Sequence, residues 1–158
     1  MTRIGIIGAG AWGTALAMVA RRAGCDVTIW AHESDTVAAI NDRHENPVFL
    51  PGVILNSEIH ATTDLARAAA ADAVMLVTPA QFLRAATAQL AAAMTPGSPV
   101  VICAKGIEQQ TGALMSEVAA ETLPGHKLAV LSGPTFAAEV ARGLPTAVTL
   151  ACTGDAAA

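Results

Sequence analysis

Short apolar runs and segments of helical periodicity alternate along almost the whole chain. Arg3 to Ile7 reads as an apolar strand. Behind it, Trp12, Ala15, Leu16, Val19, Ala20 and Ala23 recur at i, i+3, i+4, i+7, i+8 and i+11, one face of a helix that Gly24 stops. Asp26 to Ala31 predicts a second strand, and Ser34 to Asp42 a helix with Ser34 as its N-cap. His44 to Gly52 carries two prolines and a glycine and predicts a loop. A short strand near Glu58 to Ala61 and a weak helix over Asp64 to Ala70 come next. Asp72 to Pro79 predicts a buried strand. The helix after it sets Leu83, Ala86, Leu90 and Met94 on one face and breaks at Thr95 to Gly97. Pro99 to Gly106 is a further strand, followed by a helix over Gln110 to Leu123 with Leu114, Met115, Val118 and Ala119 inward. Lys127 to Pro134 predicts another strand, Thr135 to Gly143 a short helix, and Pro145 to Ala151 a last strand. Such alternation predicts one α/β unit with a mostly parallel sheet covered on both faces.

The first segment has a competing interpretation. Ile4 to Ala20 is a run of seventeen uncharged residues behind Arg3, the outline of an export signal or a membrane anchor. Gly5, Gly8, Gly10 and Gly13 weaken any continuous helix through it. Three of them, Gly8, Gly10 and Gly13, form G-x-G-x-x-G between a strand and a helix. In a dinucleotide-binding unit the first glycine permits the tight turn and the second lets the backbone approach a pyrophosphate. The third lets helix and strand pack closely. The helix N-terminus then offers free N–H groups and a partial positive charge to the phosphates. The motif with its β-α-β context predicts a Rossmann-like, doubly wound fold and rejects export.

Composition narrows the partners. The net charge is −4, and no cationic run is longer than Arg21-Arg22, so clustered charge for a nucleic-acid backbone is missing. Cys25, Cys103 and Cys152 form no C-x-x-C, and the four histidines at 32, 44, 60 and 126 stand apart. That pattern points to a reducing compartment and gives no sequence signal for a metal site. Aromatic residues make up only 3%, so Ala, Val, Leu and Ile must build the core. G-x-x-x-x-G-K-[ST] and G-x-S-x-G are both absent from the sequence, which excludes a P-loop and a nucleophile elbow.

Each strong strand ends in residues a core does not need: Gly8-Ala9-Gly10, His32-Glu33, Thr78-Pro79-Ala80-Gln81, Lys105-Gly106 and Ser132-Gly133-Pro134-Thr135. Ligands of open α/β sheets lie at that edge. Lys105 is one of only two lysines and directly follows the run Val100 to Ala104. Its ammonium is either a solvated strand-exit charge or a group that reaches a phosphate or an oxygen developing negative charge. The second strand ends in Trp30-Ala31-His32, with Glu33 one step beyond the place of a ribose-binding acid, so NAD and NADP both stay open as cofactors.

The segments GAGAWGTALA (8–17), FLPG (49–52), VTPAQ (77–81), AKGIE (104–108) and LSGPTFAAEVARGLPTA (131–147) together resemble the N-terminal domain of bacterial NAD(P)-dependent glycerol-3-phosphate dehydrogenase. That family interconverts sn-glycerol 3-phosphate and dihydroxyacetone phosphate by hydride transfer and supplies a precursor of phospholipids. The resemblance implies a pyrophosphate on Gly8 to Gly13, with Ala11 and Trp12 at the cofactor. His32 and Phe49 match positions at the adenine-ribose end. Lys105 matches a lysine contacting cofactor and substrate, Gly133 and Thr135 match substrate contacts, and Ala137 matches a cofactor contact. Relatives often carry Ser at position 11, Arg at 32 and Tyr at 49. His32 in place of Arg removes a fixed charge for an NADP 2′-phosphate.

The resemblance further implies a cytoplasmic enzyme, a homodimer when full-length, whose general acid/base lysine lies in a helical second domain. Residues 1–158 are accordingly expected to be one cofactor domain that binds weakly without turnover, with a helix beginning in the final TGDAAA. Two other readings stand beside it. One is the cofactor domain of a 6-phosphogluconate or ketopantoate reductase type. The other is a non-catalytic dinucleotide-binding module.

Overall fold

A computed structural model describes residues 1–152. Five parallel strands carry the centre: β1 (Arg3–Ile7), β2 (Asp26–Trp30), β6 (Ala73–Leu76), β7 (Val100–Ile102) and β8 (Leu128–Ser132). Strands β5 (Ile59–Thr62), parallel to β2, and β9 (Thr149–Cys152), antiparallel to β8, close the two edges. The order is β5-β2-β1-β6-β7-β8-β9. The chain winds outward from β1 in one direction and resumes on its other side at β6. The crevice between β1 and β6 is therefore the topological switch point.

Period-two alternation sends successive strand residues to opposite faces. Ile6, Val27, Ile29 and Ala61 pack with α1 (Ala11–Arg22), α2 (Ser34–Arg43) and α6 (Ala137–Ala141). Ile7, Val74, Leu76, Val100 and Ile102 pack on the other face with α3 (Leu65–Ala69), α4 (Ala80–Leu90) and α5 (Met115–Thr122). Both faces are covered, which is why the strands read as unbroken apolar runs. The opening run is thus divided among a strand, a turn and a twelve-residue helix. Among the described residues no helix is long and apolar enough to cross a membrane.

Several local expectations are corrected. His44 to Gly52 is not simply a loop: β3 (Glu45–Asn46) and β4 (Leu50–Ile54) pair as an antiparallel ribbon with an irregular register. Its prolines are tolerated there because Pro47 sits in the connection and Pro51 in a two-stranded edge. Glu33, not Ser34, is the N-cap of α2: its extended backbone turns the chain, and its carbonyl takes the first helical bond, from Val37 N–H at 3.2 Å.

The buried arc of α1 comprises Gly13 to Ala17 and Arg21, while Val19 and Ala23 face solvent. Sandwiching between the sheet and α6 rotates the contact. Arg22 fastens that packing by donating to Val140 O at 2.6 Å and Ala141 O at 2.9 Å.

Helix α5 starts at Met115 rather than Gln110, because Ile107 and Leu114 form an antiparallel bridge and Gly112 turns with positive φ between them. Leu114, as N-cap, is 52% exposed instead of inward, whereas Met115, Val118 and Ala119 are buried as expected. The final strand is shorter than Pro145 to Ala151 and runs antiparallel. The helix expected to begin within 153–158 lies outside the described residues.

Candidate functional site

The glycine turn is shaped by contacts that leave no room for side chains. Gly8 adopts φ +121°, and a Cβ there would lie 2.9 Å from the carbonyl carbon of Val77, just past the end of β6. A Cβ on Gly13 would come within 1.8 Å of Gly8 O, so α1 could not seat on β1 with any other residue. Gly10 differs. Its φ is −67°, open to every residue, and its Cβ would meet nothing within 4 Å. The chain itself makes no demand for glycine there; the space belongs to the cleft.

Gly10 caps α1 without a side-chain bond. The first helical bond, Thr14 N–H to Gly10 O at 3.0 Å, leaves the amides of Ala11, Trp12 and Gly13 ahead of the ladder.

Beneath the turn lies Asn46, fully buried, which sequence reasoning missed inside the supposed loop. Its Nδ2 donates to Ala9 O and Thr14 Oγ1, both at 2.8 Å, and its Oδ1 accepts from Phe49 N–H at 3.2 Å. Thr14 Oγ1 in turn donates to Gly10 O at 2.9 Å. The only hint in the sequence is the Asn-Pro pair, which reads equally well as turn chemistry.

A cleft of about 430 Å³ opens at the carboxyl edge above the switch point. Gly10 to Gly13 form one wall. Val77 to Pro79 lie at the exit of β6, Cys103 to Lys105 at the exit of β7, and Thr135 to Ala137 at the start of α6. Seven expected site residues meet here: Gly10, Ala11, Trp12, Gly13, Lys105, Thr135 and Ala137. Lys105 is exposed, with Nζ 3.5 Å from Gly133 O, an acceptor that also takes the Thr135 N–H at 3.0 Å. Gly133 is needed by the backbone as well, since its Cβ would lie 2.6 Å from Ala147 O.

Gly8, His32, Phe49 and Gly133 do not line the cleft, although Gly133 O lies beside Lys105. Gly8 lies under the turn, its N–H bonded to Trp30 O. His32 is exposed just past β2, with its ring 6.3 Å from Trp30. Phe49, 38% exposed, rides on the ribbon that Asn46 ties to the turn.

Two further groups line the cleft: Thr78, which the sequence placed among the strand-end residues without a role for its hydroxyl, and Cys103. The Thr78 hydroxyl is buried and has no hydrogen-bond partner among the described residues. Burial pushes the Cys103 thiol up to about 12, so it stays a neutral, apolar lining group. Among the described residues no three His, Cys, Asp or Glu side chains come together as a metal site.

A doubly wound sheet with a glycine turn at its switch point, and a lysine across the crevice, defines a Rossmann-type nucleotide fold. The model of the NAD-dependent glycerol-3-phosphate dehydrogenase N-terminus matches residues 3–158, and the chain belongs to that family.

Similar proteins include the glycerol-3-phosphate dehydrogenase [NAD(P)+] of Parvibaculum lavamentivorans, 59% identical over 150 residues, covering 95% of this chain and 45% of that protein. That of Paramagnetospirillum magneticum is 61% identical, covering 96% of this chain and 55% of its own length. The chain spans about half the length of these relatives. Among solved structures, glycerol-3-phosphate dehydrogenase from Coxiella burnetii superposes with a TM-score of 0.89 at 33% identity, covering 97% of this chain and 47% of that one. A ketopantoate reductase from Ralstonia eutropha JMP134 reaches only 0.64 at 21%, covering 82% of this chain and 41% of the other, and shares the fold alone.

Proposed function

We propose that residues 1–158 form the cofactor domain of an NAD(P)-dependent glycerol-3-phosphate dehydrogenase. In that reading Gly8 to Gly13 cradle the pyrophosphate, and His32 and Phe49 flank the adenine-ribose end. The observation that carries it is Gly10: a glycine with ordinary φ, open space where its Cβ would be, and the free amides of a helix N-terminus beside it. The orphaned Thr78 hydroxyl fits the same ligand, since a buried polar group without a partner costs free energy until something bonds it.

When bound, the nicotinamide supplies or accepts the hydride exchanged between sn-glycerol 3-phosphate and dihydroxyacetone phosphate. The chain's own residues bind and orient. Ala11, Trp12 and Ala137 wall the cofactor, Gly133 and Thr135 offer polar backbone and hydroxyl to the substrate, and Lys105 faces the oxygen that gains negative charge. His32 stands where relatives often carry an arginine, and the reading covers NAD or NADP as the cofactor without choosing between them. The reading extends to a cytoplasmic full-length protein that is a homodimer working on a small phosphorylated substrate, and the net charge of −4 without a cationic run supports no nucleic-acid partner.

The test is a titration of the chain with NADH and NADPH, followed by nicotinamide fluorescence. Saturable binding that Gly10→Val abolishes is the expected result. A chain that leaves both dinucleotides free at saturating concentration overturns the reading.

A further inference from the structure

Lys105 has few contacts of its own that fix where it stands. Behind it, Cys103 and Ala104 donate to Leu76 O, the last backbone bonds of β7 to the sheet. Ahead of it, Gly106 turns with φ +129°, its Cβ position 3.1 Å from Ala80 Cβ. The segment that follows has little apolar anchorage at its ends: Ile107 and Leu114, which bridge, are 53% and 52% exposed. Within the segment Glu108 N–H donates to Ala113 O at 2.9 Å and Gly112 N–H to Glu108 O at 2.8 Å, and side chains of α4 tie it to the rest of the fold.

Gln81, in the first turn of α4, clasps that segment on both sides of Glu108. Its Nε2 donates to Ile107 O at 2.9 Å, and its Oε1 accepts from Gln109 N–H at 3.0 Å, much as a neighbouring strand would. One turn along α4, Arg84 meets Glu108 with two parallel bonds, Nε to Oε1 at 2.8 Å and Nη2 to Oε2 at 2.9 Å. Thr111 Oγ1 donates to the same carboxylate at 2.5 Å, and Arg84 Nη1 extends to Glu121 of α5 at 2.7 Å. The Glu108 side chain is only 9% exposed. The helix that carries both anchors begins at Pro79 and Ala80, and Pro79 lines the cleft that Lys105 also lines.

We propose that Gln81 and the Arg84–Glu108 pair are positioning residues, which hold the 105–114 segment so that the Lys105 ammonium stands at the mouth of the cleft. This rests on the dinucleotide reading and assigns the VTPAQ and AKGIE segments a joint task. The first supplies the clasp and the second is clasped.

The experiment is a double-mutant cycle on the intact chain with NADH as probe, using Gln81→Ala, Lys105→Met and both together. Gln81→Ala raises the NADH Kd about three- to tenfold. The double variant binds no more weakly than Lys105→Met alone, because the clasp acts through the lysine. Gln81→Ala also flattens the salt dependence of binding toward that of Lys105→Met, a shift that a general loss of fold stability would not produce. Should Gln81→Ala unfold the chain, Gln81→Met, which keeps the length and loses both bonds, carries the same cycle.

A wild-type chain that binds NADH while the Gln81 variant binds equally well overturns the proposal alone. So does a double variant whose Kd is the product of the two single effects. A wild-type chain that binds no dinucleotide overturns the binding reading and this proposal with it.

Discussion

The glycine turn and the lysine segment face each other across one cleft and are built by opposite means. The turn is made of backbone pressed against backbone: Gly13 against Gly8 O, Gly8 against the Val77 carbonyl, with one buried amide, Asn46, beneath. The lysine segment is made of side-chain bonds reaching from α4, with its apolar bridge residues left in solvent. A wall of backbone packed on backbone leaves its atoms little room to move, while a wall tied by a few side-chain bonds depends on each tether.

The largest expected effect separates two glycines of the same motif. Gly13→Ala should destabilise by about 3 kcal/mol or more in denaturant unfolding, because the backbone oxygen 1.8 Å away cannot retreat without shifting α1 off β1. Gly10→Ala should stay within about 1 kcal/mol, the scale of a changed N-cap, since its Cβ meets nothing. Equal costs at the two positions would erase the distinction between turn packing and ligand space.

Next comes Asn46→Ala, expected to cost about 1–3 kcal/mol by removing the 2.8 Å bonds to Ala9 O and Thr14 Oγ1 inside the buried turn, where only Thr14 Oγ1 at 3.4 Å remains near Ala9 O.

The third prediction uses pH to tell the two walls apart. The Arg84 guanidinium and the Thr111 hydroxyl hold the Glu108 carboxyl down to about 2. A depressed carboxylate stabilises the fold above its ordinary titration range and loses that contribution as pH falls through the folded value. Urea midpoints should therefore show Glu108→Gln less stable than wild type at pH 6, with the gap narrowing from about pH 4.5 downward to about 2. The deficit of Gly13→Ala, which involves no titrating group, should hold steady over the same range.

The smallest effect concerns the cleft floor. Cys103, 2% exposed and with its thiol raised to about 12, should react with iodoacetamide at pH 8 far more slowly than the half-buried Cys25 and Cys152. Mass spectrometry of the labelled peptides reads the order directly. The same raised value means that stability attributable to Cys103 is present below about pH 9 and declines as pH climbs toward 12.

Much of the fold was legible from the chain because it is written locally. The first strand, the glycine turn, the first helix and the second strand are each decided by periodicity and glycine spacing within a few residues, and they stand where the pattern sets them. Seven of the expected site residues also converge, since every one follows a strand whose carboxyl end meets the same edge. The misses have a common character. Pro47 and Pro51 signalled a loop, yet a two-stranded ribbon accommodates them. Leu114 had helical spacing, yet a bridge to Ile107 claimed it first.

By itself, then, the order of apolar and polar residues determined two packed faces, a parallel sheet and a glycine turn that opens on the cleft. Those depend on neighbours in the chain and on the bulk preference of apolar groups for burial. The tertiary structure alone decided which polar groups would meet: Asn46 with Ala9 across 37 residues, Gln81 with Ile107 across 26, Arg84 with Glu108 across 24. A hydrogen bond has no sequence period, and its partner exists only once the elements carrying both ends have docked.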